Sequence, residues 1–533
     1  MYNNYTPLQQ RQLALQEYSN TQSTYLLVYA PVRSTALKAT LTDQLHRKFR
    51  LVDRLGGELT ASVDGVLLAA EDVELMSTAL MYFAKALQNG ADYAVCNAVF
   101  GFGGATALYQ SQPLQAQNRC AVVSRTLLER CRAAAHDPEN VPELLALAAQ
   151  LCTSPALIPQ ALLHYERGIC AEDAFSAHGK RAFIMSHVLD MTGAPIVLVS
   201  AVPVLRSMGY EVLVLGPSDG GSLHLFLDAG ASVITRSSCR NVSDAWGMAL
   251  CADFVIANTV VMARAVRALS GTAVPVLWWL HDAFAGYPHI AHQIPTQLGE
   301  NVRVYSVGSH AANAMHAVRP EFEIRPLIYG LPDYAAENFV RTDLGYNRGR
   351  PLFATVGSFE RRKGHDIFCK AIRLLPPEVR EKASFLFVGQ AADKEMMDSV
   401  RALTADYPEN VYYCKRLTRD EIKSLMEQCT GLVCASRDDP MPTFVTEGLI
   451  FGKPSIVSEH TGTAGLISEG RNGFVYHNDD PQQLAVLLEH AIEHPEELAS
   501  MRTECRKMYE QYYSKEAFEQ TLRAAVEDLT AKK

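Results

Sequence analysis

GLVCASRDDPMPTFVTEGLIFGKPSIVSEHTGTAG, residues 431–465, is the stretch from which the fold can be read. It opens on a short apolar run, GLVCAS (431–436), and passes through a turn rich in Asp and Pro. It then continues as a helical pattern and closes on a second apolar run, PSIVSE (454–459). Short β-branched runs alternating with helical segments are the signature of βαβ units and a parallel sheet. In such sheets ligands bind beyond the carboxyl ends of the strands, so the Asp-Pro turn is where chemistry belongs. The turn holds Asp439, and Glu447 follows with seven residues between them. With 439 in the loop and 447 a turn or two into the next helix, both carboxylates can face one crevice. Carboxylates offer several acceptor sites and make charge-assisted bonds, which suits the hydroxyls of a sugar and a ribose. Pro440 and Pro442 stiffen the loop, which presets the backbone N–H groups of Met441 and Thr443 for a ligand. A helix start decorated with acidic residues to suit its dipole would contain the same letters.

Upstream, LFATVG (352–357), SFLFVG (384–389) and NVYYC (410–414) extend the same series. The loop after the first of these, SFERRKGHD (358–366), gathers Arg361, Arg362 and Lys363 before Gly364. Forked guanidinium donors and an ammonium point charge suit a diphosphate and can offset the charge of a departing nucleoside diphosphate. A solvated charge run is the alternative, and the position at a strand's carboxyl end favours the functional reading. An earlier series, RAFIMS (181–186), EVLVLG (211–216), SVIT (232–235), DFVIAN (253–258), PVLWWL (275–280) and RVYSVG (303–308), reads as buried strands of a first domain. Between the two series, 329–350 is broken by polar, Gly and Pro residues, as an interdomain linker would be. After RAFIMS, Thr192 is placed to cap a helix, with Pro195 in its first turn. Gly193 there lets backbone N–H groups approach a phosphate or sugar oxygen, although a tight turn without a ligand fits too. Near the C-terminus, Phe518, Leu522, Ala525, Val526 and Leu529 share one helical face, predicting a helix that docks back.

Composition narrows the function classes. The 533 residues suggest about three domains of ordinary size, and 48% hydrophobic with 20% charged residues describes a folded globular chain. A net charge of -9 offers no general attraction for the phosphates of nucleic acid. No apolar run reaches membrane-spanning length, and MYNNYTPLQQRQ does not read as a signal peptide, so a cytoplasmic protein is expected. The twelve cysteines form no CxxC pair, the closest two being Cys429 and Cys434, so neither zinc nor a disulfide framework is expected.

Taken in order, SHVLDMTGAP, VLWWLHDA, GSFERRKGHD, the DDPMPTFVTEGLIFGKPSIVSEHTGTAGLI block and EGRNGFV resemble the retaining glycosyltransferases of family four. The likeness covers about 175–530. It implies an α/β chain of GT-B fold, with two tandem Rossmann-like domains around a cleft. The expected boundaries are an N-terminal α/β domain over 1–170, an acceptor-side domain over 171–335, a donor-side domain over 345–515, and a terminal helix over 516–533. The family carries two glutamates at this spacing, whereas here Asp439 stands first and Glu447 second.

The resemblance implies catalytic roles for His281, Asp439 and Glu447. Asp439 and the backbone after it would bind the donor sugar, Glu447 the ribose, and Arg362 with Lys363 the diphosphate. Met441, Pro442, Thr443, Thr461, Gly462 and Gly193 complete the implied donor site. Ser358 stands where many members have arginine, so Arg361 or Arg362 would supply that charge. His281 would face donor sugar and acceptor. The expected reaction transfers a sugar, with retention, from a nucleotide diphosphate donor, UDP-sugar favoured, to a glycan, lipid-linked or protein acceptor. No metal or other cofactor is expected, and contacts with the inner membrane face or a second copy fit the class.

Residues 1–170 weakly resemble the later half of a GT-A transferase of family two, through AAEDVELMSTALMYF and GADYAVCNAVFG. The acidic metal motif of that family is reduced to Glu71 and Asp72, so a non-catalytic domain contacting acceptor or partner is expected. Strands are read through TYLLVYAPV (24–32) and GVLLAA (65–70), with helices over 73–89 and 141–152. Two rival functions are a non-catalytic GT-B scaffold subunit, and a sugar-nucleotide hydrolase or epimerase on the same fold.

Overall fold

The computed structural model describes residues 21, 23–29, 35–70, 73–102, 106–110, 118–166, 179–236, 239 and 247–531. Glu71 and Asp72 lie outside these residues. The chain forms two compact units that divide between Val255 and Ile256, inside the strand Phe254–Asn258.

In the first unit, Leu26–Tyr29 lies between Phe49–Val52 and Gly65–Ala69, parallel to both. Gly65–Ala69 runs antiparallel to Cys120–Ser124, which is antiparallel to Tyr93–Phe102. Successive side chains of a strand point to opposite faces, and the core divides accordingly. Leu26, Val28 and Leu67 pack with Leu80 and Phe83 of the helix Ala79–Gln88, whereas Leu27, Tyr29, Val66 and Leu68 pack with Leu127 and Leu144. Burial on both faces explains why these strands read as unbroken apolar runs. Leu127 and Leu144 belong to two helices capped by local side chains. Ser124 accepts from Leu127 N at the start of Arg125–Ala134, and Asn140 from Glu143 N at the start of Val141–Leu151.

The helix expected over 73–89 begins only at Ala79. Glu74–Leu75 is instead a short strand paired with Leu163 and His164 of the strand Pro155–Glu166. The parallel pairs Lys180–Met185 with Tyr210–Gly216, and Tyr210–Gly216 with Ser232–Arg236, lie in the same unit. Ser232–Arg236 also runs antiparallel to Thr106–Gln110, so the N-terminal segment and the start of the Rossmann-like series share one sheet.

The second unit contains strands of two sheets. In the first, Val276–Leu280, Val302–Ser306 and Ile324–Pro326 are parallel neighbours. The indoles of Trp278 and Trp279 are fully buried and donate to the carbonyls of Thr259 and Leu327. The second sheet has six parallel strands. Across it lie Val411–Cys414, Ser384–Val388, Leu352–Val356, Gly431–Cys434, Ser455–Ser458 and Gly473–Tyr476. The chain thus winds outward in one direction from Leu352–Val356 and then reverses, with Gly431–Cys434 on its other side. This is a doubly wound sheet whose order switches between these two strands, and sheets of this kind bind ligands beyond the carboxyl ends of the strands at the switch.

The last helix, Lys515–Thr530, buries Phe518, Leu522, Ala525, Val526 and Leu529. Phe518 stacks on Trp279 with ring centroids 5.8 Å apart, and Arg325 pairs with Asp528. Among the described residues no helix is long and apolar enough to cross a membrane.

Candidate functional site

The turns that follow the two switch-point strands are those that hold the cations and the carboxylates. Arg361–Lys363 forms one tight helical turn closed by Gly364 in the left-handed conformation (φ 65°). A side chain at 364 would place its Cβ 1.8 Å from the carbonyl oxygen of Ala435, at the end of the neighbouring strand, so only glycine fits that approach. Arg437 ties the two turns together. Its N–H donates to Arg362 O at 2.7 Å, and its guanidinium donates to Arg361 O and, through two nitrogens at 2.8 Å, to the Asp366 carboxylate. A bidentate fork of this kind fixes orientation as well as charge.

Within this frame the structure brings most of the expected residues together. Lys363 Nζ donates to Asp439 Oδ2 at 2.6 Å, and Ser436 Oγ to the same oxygen at 3.4 Å. Asp439 is only 3% exposed, so the ammonium compensates a carboxylate removed from water. Arg362 donates to Glu360 and to the carbonyl of Asp438, while Ser358 donates to Glu360. The Arg361 side chain is exposed. Asp439 N donates to His460 O, and Gly462 N to Asp439 O, which locks the Asp439 turn to the HTGTAG turn containing the buried Thr461.

The helix Thr443–Ile450 starts behind Pro442 without a side-chain cap, leaving the positive end of its dipole open beside Lys363 and Asp439. Thr443 is exposed there and Met441 is buried, its sulfur accepting from Tyr513 OH. Glu447 lies inside the helix and accepts from Arg419 at 2.6 Å, with the Arg419 guanidinium 4.1 Å from the Tyr334 ring centroid. The Tyr329 hydroxyl is pushed up to about 12 by burial. The Thr443 and Thr446 hydroxyls oppose that shift, and the charges of both Asp439 and Glu447 add to it, so one buried phenol senses the two carboxylates.

The first sheet reaches the same place. His281 follows Val276–Leu280 and packs against Trp279, ring centroids 4.6 Å apart. Burial pushes the next residue, Asp282, up to about 6 against the N–H groups of Val260 and His281, which favour its charged form. Gly308 abuts the Asp439 and HTGTAG turns so closely that a Cβ would meet Met441 Cε at 2.8 Å and Gly462 O at 3.2 Å.

Asp438, Arg437, His310 and Arg419 were not singled out from sequence, because each is an ordinary polar residue in its own window. Asp438 accepts from Phe284 N at 3.2 Å, Ala285 N at 2.9 Å and His310 Nε2 at 2.7 Å. Burial would raise its carboxyl, yet these bonds hold it below the usual carboxylate range. Gly193 belongs to the first unit, where it opens the helix Gly193–Ser207. The expected Thr192 cap does not form, because the hydroxyl donates to Asp190.

Residues 178–321 match the family described as Glycosyl-transferase family 4, and residues 337–508 the family described as Glycosyl transferases group 1. An uncharacterized glycosyltransferase of Methanocaldococcus jannaschii is 25% identical over 194 residues, 36% of this chain and 53% of that protein. Spore coat protein SA of Bacillus subtilis is 26% identical over 160 residues, 28% of this chain and 41% of that protein. The chain thus spans about half the length of these curated relatives.

Among solved structures, HepE of Anabaena in complex with UDP and glucose aligns with a TM-score of 0.53 at 16% identity, covering 66% of this chain and all of that one. Sucrose-phosphate synthase of Thermosynechococcus elongatus aligns with a TM-score of 0.53 at 15% identity and the same coverage. With two consecutive family matches, a doubly wound six-stranded sheet and these structural neighbours, the fold is that of the GT-B glycosyltransferases.

Proposed function

We propose that this protein transfers a glycosyl group from a nucleoside diphosphate sugar, UDP-sugar favoured, to a hydroxyl of a glycan, lipid-linked or protein acceptor, with retention of configuration. One observation carries the reading. Two turns flanking the switch point bring Lys363 and Asp439 together at the uncapped start of a helix that contains Glu447. In this reading Lys363 and Arg362 receive the diphosphate together with the helix start, Glu447 holds the ribose, and Asp439 holds the donor sugar. Asp439 then exchanges its bond to Lys363 for sugar hydroxyls, while the ammonium turns to the phosphate. His281 faces the donor sugar and the incoming acceptor. The acceptor proton passes to the leaving phosphate on the same face, and the cations stabilise the departing charge without a divalent ion. UDP is favoured because the HepE structure holds UDP, and the assignment is made for this chain by analogy.

Titration calorimetry with UDP, GDP and ADP, followed by UDP release from UDP-sugars, tests the proposal. UDP binding that weakens in Lys363→Ala and Glu447→Ala, with loss of turnover, is the expected result. Full turnover by both variants refutes it. The scaffold reading is supported by a different observation: Asp439 is one methylene shorter than glutamate and is already paired with Lys363. No binding to any of the three nucleotides would favour it. We assign the N-terminal 170 residues to acceptor or partner contact, and the protein to the cytoplasm with peripheral membrane contact.

A further inference from the structure

We infer that Asp438 and His310 form a latch that holds the loop after His281 against the donor turn, making both positioning residues for the transfer proposed above. The inference rests on that reading, but its geometry stands on separate contacts. Asp438 is the immediate neighbour of Asp439, yet its carboxylate serves another purpose. Oδ1 accepts from His310 Nε2 at 2.7 Å and from Phe284 N at 3.2 Å, and Oδ2 from Ala285 N at 2.9 Å.

These three donors come from the first sheet's loops, 128 to 154 residues away in the chain. A carboxylate needed only by its own turn would bond to nearby N–H groups, as turn aspartates ordinarily do. Here the main-chain carbonyl of the same residue accepts from Arg362 at 3.3 Å. Asp438 is therefore where the cation turn, the donor turn and the His281 loop meet.

His310 is built to be held. Its side chain is 5% exposed and lies between the Phe284 and His460 rings, with centroids 5.1 Å and 5.7 Å away. It is the second residue of the helix Ser309–His316, two residues after Gly308, where the first sheet presses on Met441 and Gly462. The hydrogen bonds to Asp438 and this close packing form one seam. Because Phe284 and Ala285 follow His281 by three and four residues, the seam sets how far the imidazole stands from the donor sugar. A misplacement of about 1 Å between reacting groups can cost on the order of 100-fold in rate.

The test compares wild type with Asp438→Ala, Asp438→Asn and His310→Gln. Three readouts are needed: amide exchange at Phe284 and Ala285, UDP affinity by calorimetry, and kcat and KM for UDP release from UDP-glucose. In D438A, exchange at those two amides is expected to rise by at least about tenfold while the six-stranded sheet is unchanged. The kcat is expected to fall by about 100-fold. The UDP Kd is expected to stay within about threefold of wild type, since the diphosphate groups are untouched. D438N keeps one acceptor oxygen and folds without a charge to bury, so it should recover part of kcat, and H310Q should fall between the two.

Unchanged kcat in D438A overturns the inference. So does a loss of UDP affinity parallel to the loss of kcat, which would make Asp438 a donor ligand. If wild-type protein binds no UDP, the transfer reading fails by itself. Faster exchange at 284–285 in D438A then still upholds the latch, and unchanged exchange overturns it.

Discussion

The loops of the six-stranded sheet bring charge to the site, in Lys363, Arg362, Asp439 and Glu447, whereas the loops of the Val276–Leu280 sheet bring backbone N–H groups, two imidazoles and a carboxyl raised by burial. The charged groups lie within one doubly wound unit and neutralise each other across short distances. The N–H groups of Phe284 and Ala285 and the His310 imidazole, from the first sheet's loops, all converge on Asp438. Such a division suits a two-substrate reaction. Under the proposed transfer, the charged pocket would bind the anionic donor, and the second surface would set the geometry of attack. Changes on the six-stranded sheet should therefore alter how the diphosphate is held, both when bound and as it departs, and changes on the first sheet should alter the chemical step without loss of donor binding.

The strongest test of that contrast is Lys363→Met. Removing an ammonium aimed at developing charge lowers turnover by about 100- to 1,000-fold when the group acts in the transition state. The substitution also leaves Asp439, 3% exposed, without its cation, so a drop in melting temperature should accompany the loss. UDP release and thermal unfolding measured on one preparation check both. Turnover within twofold of wild type would break the comparison outright.

A smaller effect is expected at Arg419. Its guanidinium pairs with Glu447 and lies over Tyr334, so Arg419→Ala should free the ribose-side carboxylate from its orienting partner and weaken UDP binding by about tenfold. Arg419→Lys should restore little of this, because an ammonium has no plane to stack and no fork to align. Calorimetry on the two variants sharpens the comparison, since the loss should appear in Kd. Unchanged affinity in R419A would remove Glu447 from the nucleotide site.

How much of this was legible follows from how local each signal is. The apolar runs from RAFIMS to PSIVSE appear as strands within about two residues of their read limits, because burial on both faces writes itself into consecutive letters. All five residues read on the last helical face are buried. By contrast, Tyr93–Phe102 and Pro155–Glu166 were missed. Their pairing has an irregular register between Cys96 and Ala98, and a buried polar residue, Asn97, interrupts the apolar pattern there. Glu74–Leu75 fits a helical window equally well, and its strand partners lie some ninety residues on. The Lys363 and Asp439 turns were readable from motif order. Asp438, His310 and Arg419 gain meaning only from partners brought close by the fold.

The smallest expected effect lies in pH, and it sets one titratable group from each sheet against the other. Burial raises the Asp282 carboxyl to about 6, from about 3.9 in an unfolded chain. The folded state therefore holds a proton that the unfolded state has released, and stability falls as pH rises between those values. His365 follows the cation turn and packs edge-on against Phe359, and burial, aided by the Lys363 charge and opposed by Asp366, lowers it to about 3. The unfolded chain takes up a proton near pH 6.5 that the folded chain refuses, so stability falls as pH drops from about 6.5. Between about pH 4 and 6 the two slopes oppose, each at most about 1.4 kcal/mol per pH unit. Asp282→Asn should leave the His365 slope uncovered, so its melting temperature rises with pH more steeply than that of wild type. The difference should be about 2–4 °C for each kcal/mol. His365→Gln should do the reverse. Melting curves at pH 4, 5 and 6 that run parallel for all three proteins would show that the two sheets do not bury titratable groups of opposite sign.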